Sequence, residues 1–298
     1  MECNGVNIND AFEAALVESD APVITDYEFY RLGSRIYTDA NWKGVSLVRL
    51  PSDWDHSRMR NAQRRLRAKQ VIAPDADFRK GLWRVVQSSR AGSAEEIASI
   101  ADPFCYVSHL SAMERYGLTD RSPEALHIST PWRPIWNELR DERMSSDGMN
   151  RSSIDAPSLV RFGFKNRVRR RPIIVHETRH PAMPTTIGGE RTRITDVGRT
   201  FADMLDTPVL CGGMRHVLDI WKNQALNWSN AIIAGIDGLD SKIAKVRAGY
   251  IFTELLDIED ERITKWEVFA QRGGSRKLDP ESAYVPVFSE RWMLSINA

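Results

Sequence analysis

Through the first ninety positions the apolar residues keep helical spacing three times over and then fall into two short extended runs. Asn9 or Asp10 can cap a first helix whose inner face is Phe12, Ala15 and Leu16, and Ala21-Pro22 ends it ahead of an extended Val23-Ile24. Thr25 can cap a second helix, with Tyr27, Phe29, Tyr30 and Leu32 leading toward Ile36. A long connection, Asp39 to Trp54, contains the extended run Val45 to Leu50. The third helix, Ser57 to Lys69, can be capped by Asp53, Asp55 or Ser57 and has a narrow apolar stripe of Met59, Ala62 and Leu66. Two extended segments follow, Gln70 to Ile72 and Leu82 to Val86, joined through Pro74-Asp75-Ala76-Asp77 and Gly81. Three helices and then a hairpin is the order of a winged helix-turn-helix domain, whose third helix enters the major groove of DNA.

Ser88 to Ala101 is small and polar enough for a hinge or a short connecting helix. Beyond it the pattern mixes helix and strand. A helix over Ser108 to Tyr116 stops at Gly117, a strand crosses Ala125 to Thr130, and Arg140 to Ser153 has the polarity of a loop. Strand-like runs follow at Leu159 to Phe164 and Val168 to Val175. Helices are then expected from a Thr195 cap through Leu205, from Gly212-Gly213 to Trp221, from Leu239 to Leu256 and near Ile258 to Phe269, before a terminal strand, Trp292 to Asn297. The expected fold is therefore α+β: a winged helix-turn-helix domain over 1–90, a linker over 91–100, and a larger mixed α/β domain over 101–298.

Charge changes this picture locally, not globally. The formal net charge is +1 over 298 residues, so attraction to nucleic acid must come from clustering. Ser57 to Lys69 supplies it, with five arginines, one lysine and no acid. A merely solvated helix face mixes both signs to gain i,i+4 pairs, whereas this one repels itself unless phosphates are near. Arg60, Asn61 and Arg64 project opposite the apolar stripe and suit base edges, arginine pairing with guanine and asparagine with adenine. Ser57, Arg58, Arg65, Arg67 and Lys69, with Arg79, Lys80 and Arg84 of the hairpin, are placed for phosphates. A second basic cluster, Lys165, Arg167, Arg169, Arg170 and Arg171, could extend that surface, meet an acidic partner, or be a solvated hairpin edge.

Other chemistry is sparse. Cys3, Cys105 and Cys211 lie far apart, which disfavours a disulfide framework or a cysteine zinc site. No apolar run is long enough for a bilayer and the first residues lack an export pattern, so a cytoplasmic, nucleoid-associated protein without membrane contact is expected. His176-Glu177-Thr178-Arg179-His180 matches the zincin pattern HExxH, which works only on a helix. Here it follows Ile173-Ile174-Val175 and precedes Pro181 and Pro184, so an extended segment with surface histidines is expected and no metal. Ser108 and His109, as neighbours on a helix, should not face each other, leaving Ser108 as a helix cap. The paired glycines lack phosphate-loop spacing, and the scattered tryptophans suit a core. No catalytic residue and no cofactor is expected.

Three stretches carry a family resemblance. Tyr106 to Met113, running on to Tyr116 to Asp120, resembles the opening of the AbiEi antitoxin effector domain, and Arg199 to Pro208 followed by Cys211-Gly212-Gly213 is similar to a later segment of that domain. The closing Trp292 to Asn297 resembles its terminal strand. The resemblance implies an antitoxin of a type IV toxin-antitoxin, or abortive infection, system. Its winged helix-turn-helix domain would repress its own operon at inverted repeats in double-stranded DNA, and its effector domain would counteract a nucleotidyltransferase-like toxin. Gly198 departs from the family, which more often has an acid before Arg-Thr, and the Asp39 to Trp54 connection enlarges the usual DNA-binding domain. A protein-interaction module that sequesters a partner without reading DNA, and a metal-dependent hydrolase, are the alternative classes.

Overall fold

The computed structural model describes residues 6–48, 50, 52–78, 80–149, 156–162, 166–271 and 276–298; Arg79 and Lys165 lie outside them. In chain order the first elements are β1 (Val6–Asn7), α1 (Ile8–Ser19), β2 (Val23–Thr25), α2 (Asp26–Asp39), β3 (Asn41–Trp42), β4 (Val45–Val48), α3 (His56–Ala68), β5 (Ile72–Pro74), β6 (Leu82–Val85) and α4 (Ala94–Ala101). There follow β7 (Tyr106–Val107), α5 (His109–Arg115), β8 (Leu126–Pro131), α6 (Arg133–Ser146), β9 (Arg167–Val168), β10 (Arg171–Thr178), β11 (Thr185–Thr186) and β12 (Arg193–Ile194). The last are α7 (Val197–Asp206), α8 (Met214–Gln224), α9 (Ser229–Asp237), α10 (Lys242–Tyr250), α11 (Glu261–Thr264), β13 (Phe288–Ser289) and β14 (Leu294–Ser295). The fold is mixed α/β with several separate sheets.

The described residues gather into two compact units that interleave along the chain. The first takes Met1–Cys105, Thr130–Ile173 and Ile187–Thr192; the second takes Tyr106–Ser129, Ile174–Thr186 and Arg193–Ala298. They differ from the contiguous 1–90 and 101–298 expected from sequence. The 91–100 segment is largely α4, a helix capped by Ser93, whose Ile97 and Ala98 are fully buried in the first unit.

In the first unit α1, α2 and α3 pack on one another around Phe12, whose ring stacks on Phe29 at 4.8 Å and on Trp54 at 5.4 Å. Asn7, not Asn9 or Asp10, caps α1: its extended backbone lets the side-chain oxygen accept from the Asn9 and Asp10 amides. Thr25 caps α2 as expected, and Asp55 caps α3, accepting from the Arg58 amide at 2.7 Å. β2, β6 and β5 form an antiparallel sheet with Ile24 opposite Trp83 and Ala73 opposite Arg84. The long connection folds as a hairpin, β3 to β4, turned by Lys43 and Gly44 at φ of 53° and 85°, the pair of positive values a two-residue hairpin turn needs. β4 also pairs in parallel with β1. Tyr30 and Trp54 exchange hydrogen bonds between side chain and backbone, which fastens the end of the connection to α2.

Arg140 to Ser153, expected as a loop, is helical in its first part. α6 runs to Ser146, with Trp136 buried and Asp147 accepting from the Tyr27 hydroxyl at 2.8 Å. One buried side chain on a charged helix leaves too little periodicity to read. Asp102, fully buried, anchors this return of the chain by accepting from the Trp136 indole at 3.0 Å and the Phe162 amide at 2.8 Å.

In the second unit β7 lies between β12 and β8, with Val107 opposite both Ile194 and Ile128. α7, α8, α9 and α10 enclose Phe201, Trp221, Ile232 and Phe252. Asp196, not Thr195, caps α7, accepting from the Arg199 amide at 2.7 Å, while the Thr195 hydroxyl bonds that of Thr200. α7 and α9 cross with Gly198 against Gly235. Trp221, Trp266 and Trp292 are core, whereas Trp228 and Trp132 are exposed, so the expectation that the scattered tryptophans form core holds only in part. Among the described residues no helix is long and apolar enough to cross a membrane.

Candidate nucleic-acid interface

The stripe read from sequence is the buried face of α3: Met59, Ala62 and Leu66 are in the core, joined by Gln63. Ser57, Arg58, Arg60, Asn61, Arg64, Arg65, Arg67 and Lys69 are all exposed. They divide into two edges. Arg58, Asn61 and Arg65 border a hollow shared with Asn7, Asn9 and Trp54. Arg60, Arg64 and Arg67 border a groove shared with His56, Lys80 and Trp83. Arg64 joins the edges, its guanidinium donating to the Asn61 side-chain oxygen at 3.2 Å. Arg67 lies over the Trp83 ring, 5.7 Å from its centroid, a cation–π contact that steadies a long side chain. Lys80 and Arg84 of the hairpin are exposed.

Lys69 stands apart from the other expected phosphate ligands. Its ammonium is 2.8 Å from Glu13 and 3.3 Å from Asp10 on α1, and hydrogen bonds to these two carboxylates hold its pKa above the ordinary lysine value. Its charge is therefore met within the protein. Arg58 lies 3.9 Å from Asp53, a looser pairing than that of Lys69.

The second basic cluster is not one row of available cations. Arg169 and Arg170, at φ of 50° and 66°, make the two-residue turn between β9 and β10. The Arg169 guanidinium is paired with Asp75 at 2.6 Å and with Asp77, and its amide also donates to Asp77. Arg171 pairs with Glu95 at 2.9 Å. Arg167 and Arg170 are exposed. The two arginines with carboxylate partners bind the hairpin to the β5–β6 turn and to α4, a role invisible in sequence because the acids lie about 75 to 95 positions upstream.

A constellation in the second unit went unread. Ser108 makes no side-chain cap; its hydroxyl lies 2.8 Å from His109 Nδ1 and 2.8 Å from the Ser129 hydroxyl. The expectation that neighbours point apart fails because His109 has φ of 52°, outside the helical region. His176, expected at the surface, instead lies 2.9 Å (Nε2) from His127 Nδ1, and the His109 and His176 ring centroids are 4.7 Å apart. His176 is on the strand β10, as its β-branched neighbours required, and His180 lies beyond the strand, exposed. Among the described residues no group of histidine, cysteine, aspartate or glutamate side chains is arranged to hold a metal ion.

Burial, helped by the nearby His127 and Arg199 charges, lowers the His109 pKa to about 4, and burial with His109 and His127 as neighbours lowers His176 to about 4. Well above pH 6.5 both are neutral whether the chain is folded or unfolded. Below it the unfolded chain takes up protons that the folded one refuses, so stability falls as pH drops from 6.5 through 4. The His109 contribution is roughly 3 kcal/mol. Urea unfolding of His109→Gln should show a shallower loss between pH 7 and 4.5 than the unsubstituted chain; equal pH slopes would contradict the assignment.

No protein-family model matches this chain, and no curated protein matches it.

Proposed function

We propose that this chain is a DNA-binding transcriptional repressor that acts as the antitoxin of a toxin-antitoxin operon, of the AbiEi kind that its second unit resembles. In this reading α1, α2 and α3 with the β2–β6–β5 sheet are a winged helix-turn-helix, α3 is the recognition helix, β5 and β6 are the wing, and the β3–β4 hairpin is an insertion between the second and third helices. The observation that carries it is the outer face of α3: five exposed arginines on one helix that contains no acid. Arg64 and Asn61 are central on that face and take the base-reading role with Arg60; Ser57, Arg58, Arg65 and Arg67, with Lys80 and Arg84, take phosphates. The partners are double-stranded operator DNA with inverted repeats and, functionally, a nucleotidyltransferase-like toxin.

Each phosphate neutralised contributes about 0.9 to the slope of log affinity against log salt. Fluorescence anisotropy with labelled duplex should therefore give a slope of about −4 or steeper, for four or more arginine contacts. A slope near zero would leave the arginines without phosphates and favour the interaction-module reading.

A further inference from the structure

The groove between α3 and the β5–β6 hairpin contains an acid that electrostatics alone would keep out. Asp26 lines it beside Arg60, Arg64, Arg67 and Lys80. A carboxylate there repels the phosphates its neighbours attract, so its presence calls for a compensating role. Its geometry supplies one. Asp26 is the first residue of α2, and its amide donates to the Gly81 carbonyl at 3.0 Å. Its Oδ1 accepts from Gln63 Nε2 at 2.8 Å and from Trp83 Nε1 at 2.7 Å. One oxygen thus joins α2, the middle of α3 and strand β6.

Gln63 is 6% exposed and is the one polar side chain among the four residues α3 buries. Met59, Ala62 and Leu66 select which face of α3 is buried, but apolar packing is non-directional, so the finer rotation about that face is set by the directional hydrogen bond from Gln63. Trp83, oriented by the same oxygen, is the ring beneath Arg67. Arg60 and Arg64, four positions apart, are offset by only about 40° around α3, so a modest rotation changes which of them faces the base edges.

We propose that Asp26 is a positioning residue that sets the rotation of α3 relative to the hairpin and thereby the discrimination between DNA sequences. The inference rests on α3 being a DNA-reading helix. Its test compares binding to the duplex upstream of the chain's own reading frame with binding to random duplex of equal length, for the unsubstituted chain, Asp26→Ala, Asp26→Asn and Gln63→Met. Gln63→Met keeps the volume in the core and removes only the hydrogen bond, which guards against loss of the fold. Asp26→Ala and Gln63→Met should each lower the specificity ratio about tenfold, with the salt slope unchanged. Random-DNA affinity should hold or rise for Asp26→Ala, which removes a negative charge. Asp26→Asn, which keeps the accepting oxygen, should retain most of the ratio. The proposal is overturned if the folded Asp26→Ala and Gln63→Met proteins keep the original ratio, or if asparagine loses as much as alanine. Absence of any preference in the unsubstituted chain is a different result: it overturns the DNA reading, and this inference with it.

Discussion

Gly198→Ala should unfold the second unit or cost it about 3 kcal/mol or more. A Cβ at Gly198 would stand 2.0 Å from the Ala231 carbonyl oxygen, and one at Gly235 would stand 2.4 Å from the Gly198 carbonyl. The obstruction is backbone on both sides, so no rotamer change relieves it and the crossing of α7 and α9 must open. Neither glycine has a positive φ, so the requirement is for space and not for backbone conformation. Gly188→Ala, where a Cβ meets nothing within 4 Å, is the control and should leave stability within about 0.5 kcal/mol. Denaturant unfolding followed by tryptophan fluorescence reports the difference, since Trp221 is fully buried beside Phe201 of α7. A Gly198→Ala midpoint equal to the control's would contradict the packing described.

Arg64→Ala and Arg65→Ala, adjacent in sequence, should fail in different ways. Arg65 sits on the hollow edge of α3; in its proposed role as a phosphate ligand, its removal should weaken all duplexes alike and lower the salt slope by about one unit. Arg64 is central and holds the Asn61 amide at 3.2 Å. Its loss should relax discrimination by about 1 to 3 kcal/mol at one base pair, with a smaller loosening at whatever base Asn61 meets, because the amide is then free to turn. Titration against a panel of single-substituted operator duplexes separates these patterns. Two variants that change affinity and specificity identically would mean that α3 does not lie across base edges as proposed.

The local features were readable where a short stretch of chain determines them. Met59, Ala62 and Leu66 declared the inner face of α3 because a three-residue stripe against arginines permits only one burial. The Thr25 cap and the extended run from Leu82 were equally local, whereas the run expected over Gln70 to Ile72 is strand only from Ile72 and extends to Pro74, into the expected turn. What escaped depends on distant partners. Gln63 looked like any polar helix residue until Asp26 met it, and Arg169 looked like part of a basic patch until Asp75 and Asp77 neutralised it. α6 was hidden because it buries a single tryptophan, and α9, Ser229–Asp237, because its apolar run gave no second face. The left-handed backbone at His109 could not be anticipated from a non-glycine residue, and with it went the contact to Ser108.

The central claim, that α3 reads DNA, is tested most directly by one competition titration at about 0.15 M salt. Labelled duplex from upstream of the chain's own reading frame is displaced by the same duplex and by random duplex. Sequence-specific recognition predicts that the random competitor is weaker by about a thousandfold or more. Equal competition by both duplexes, or no binding at all, would contradict it.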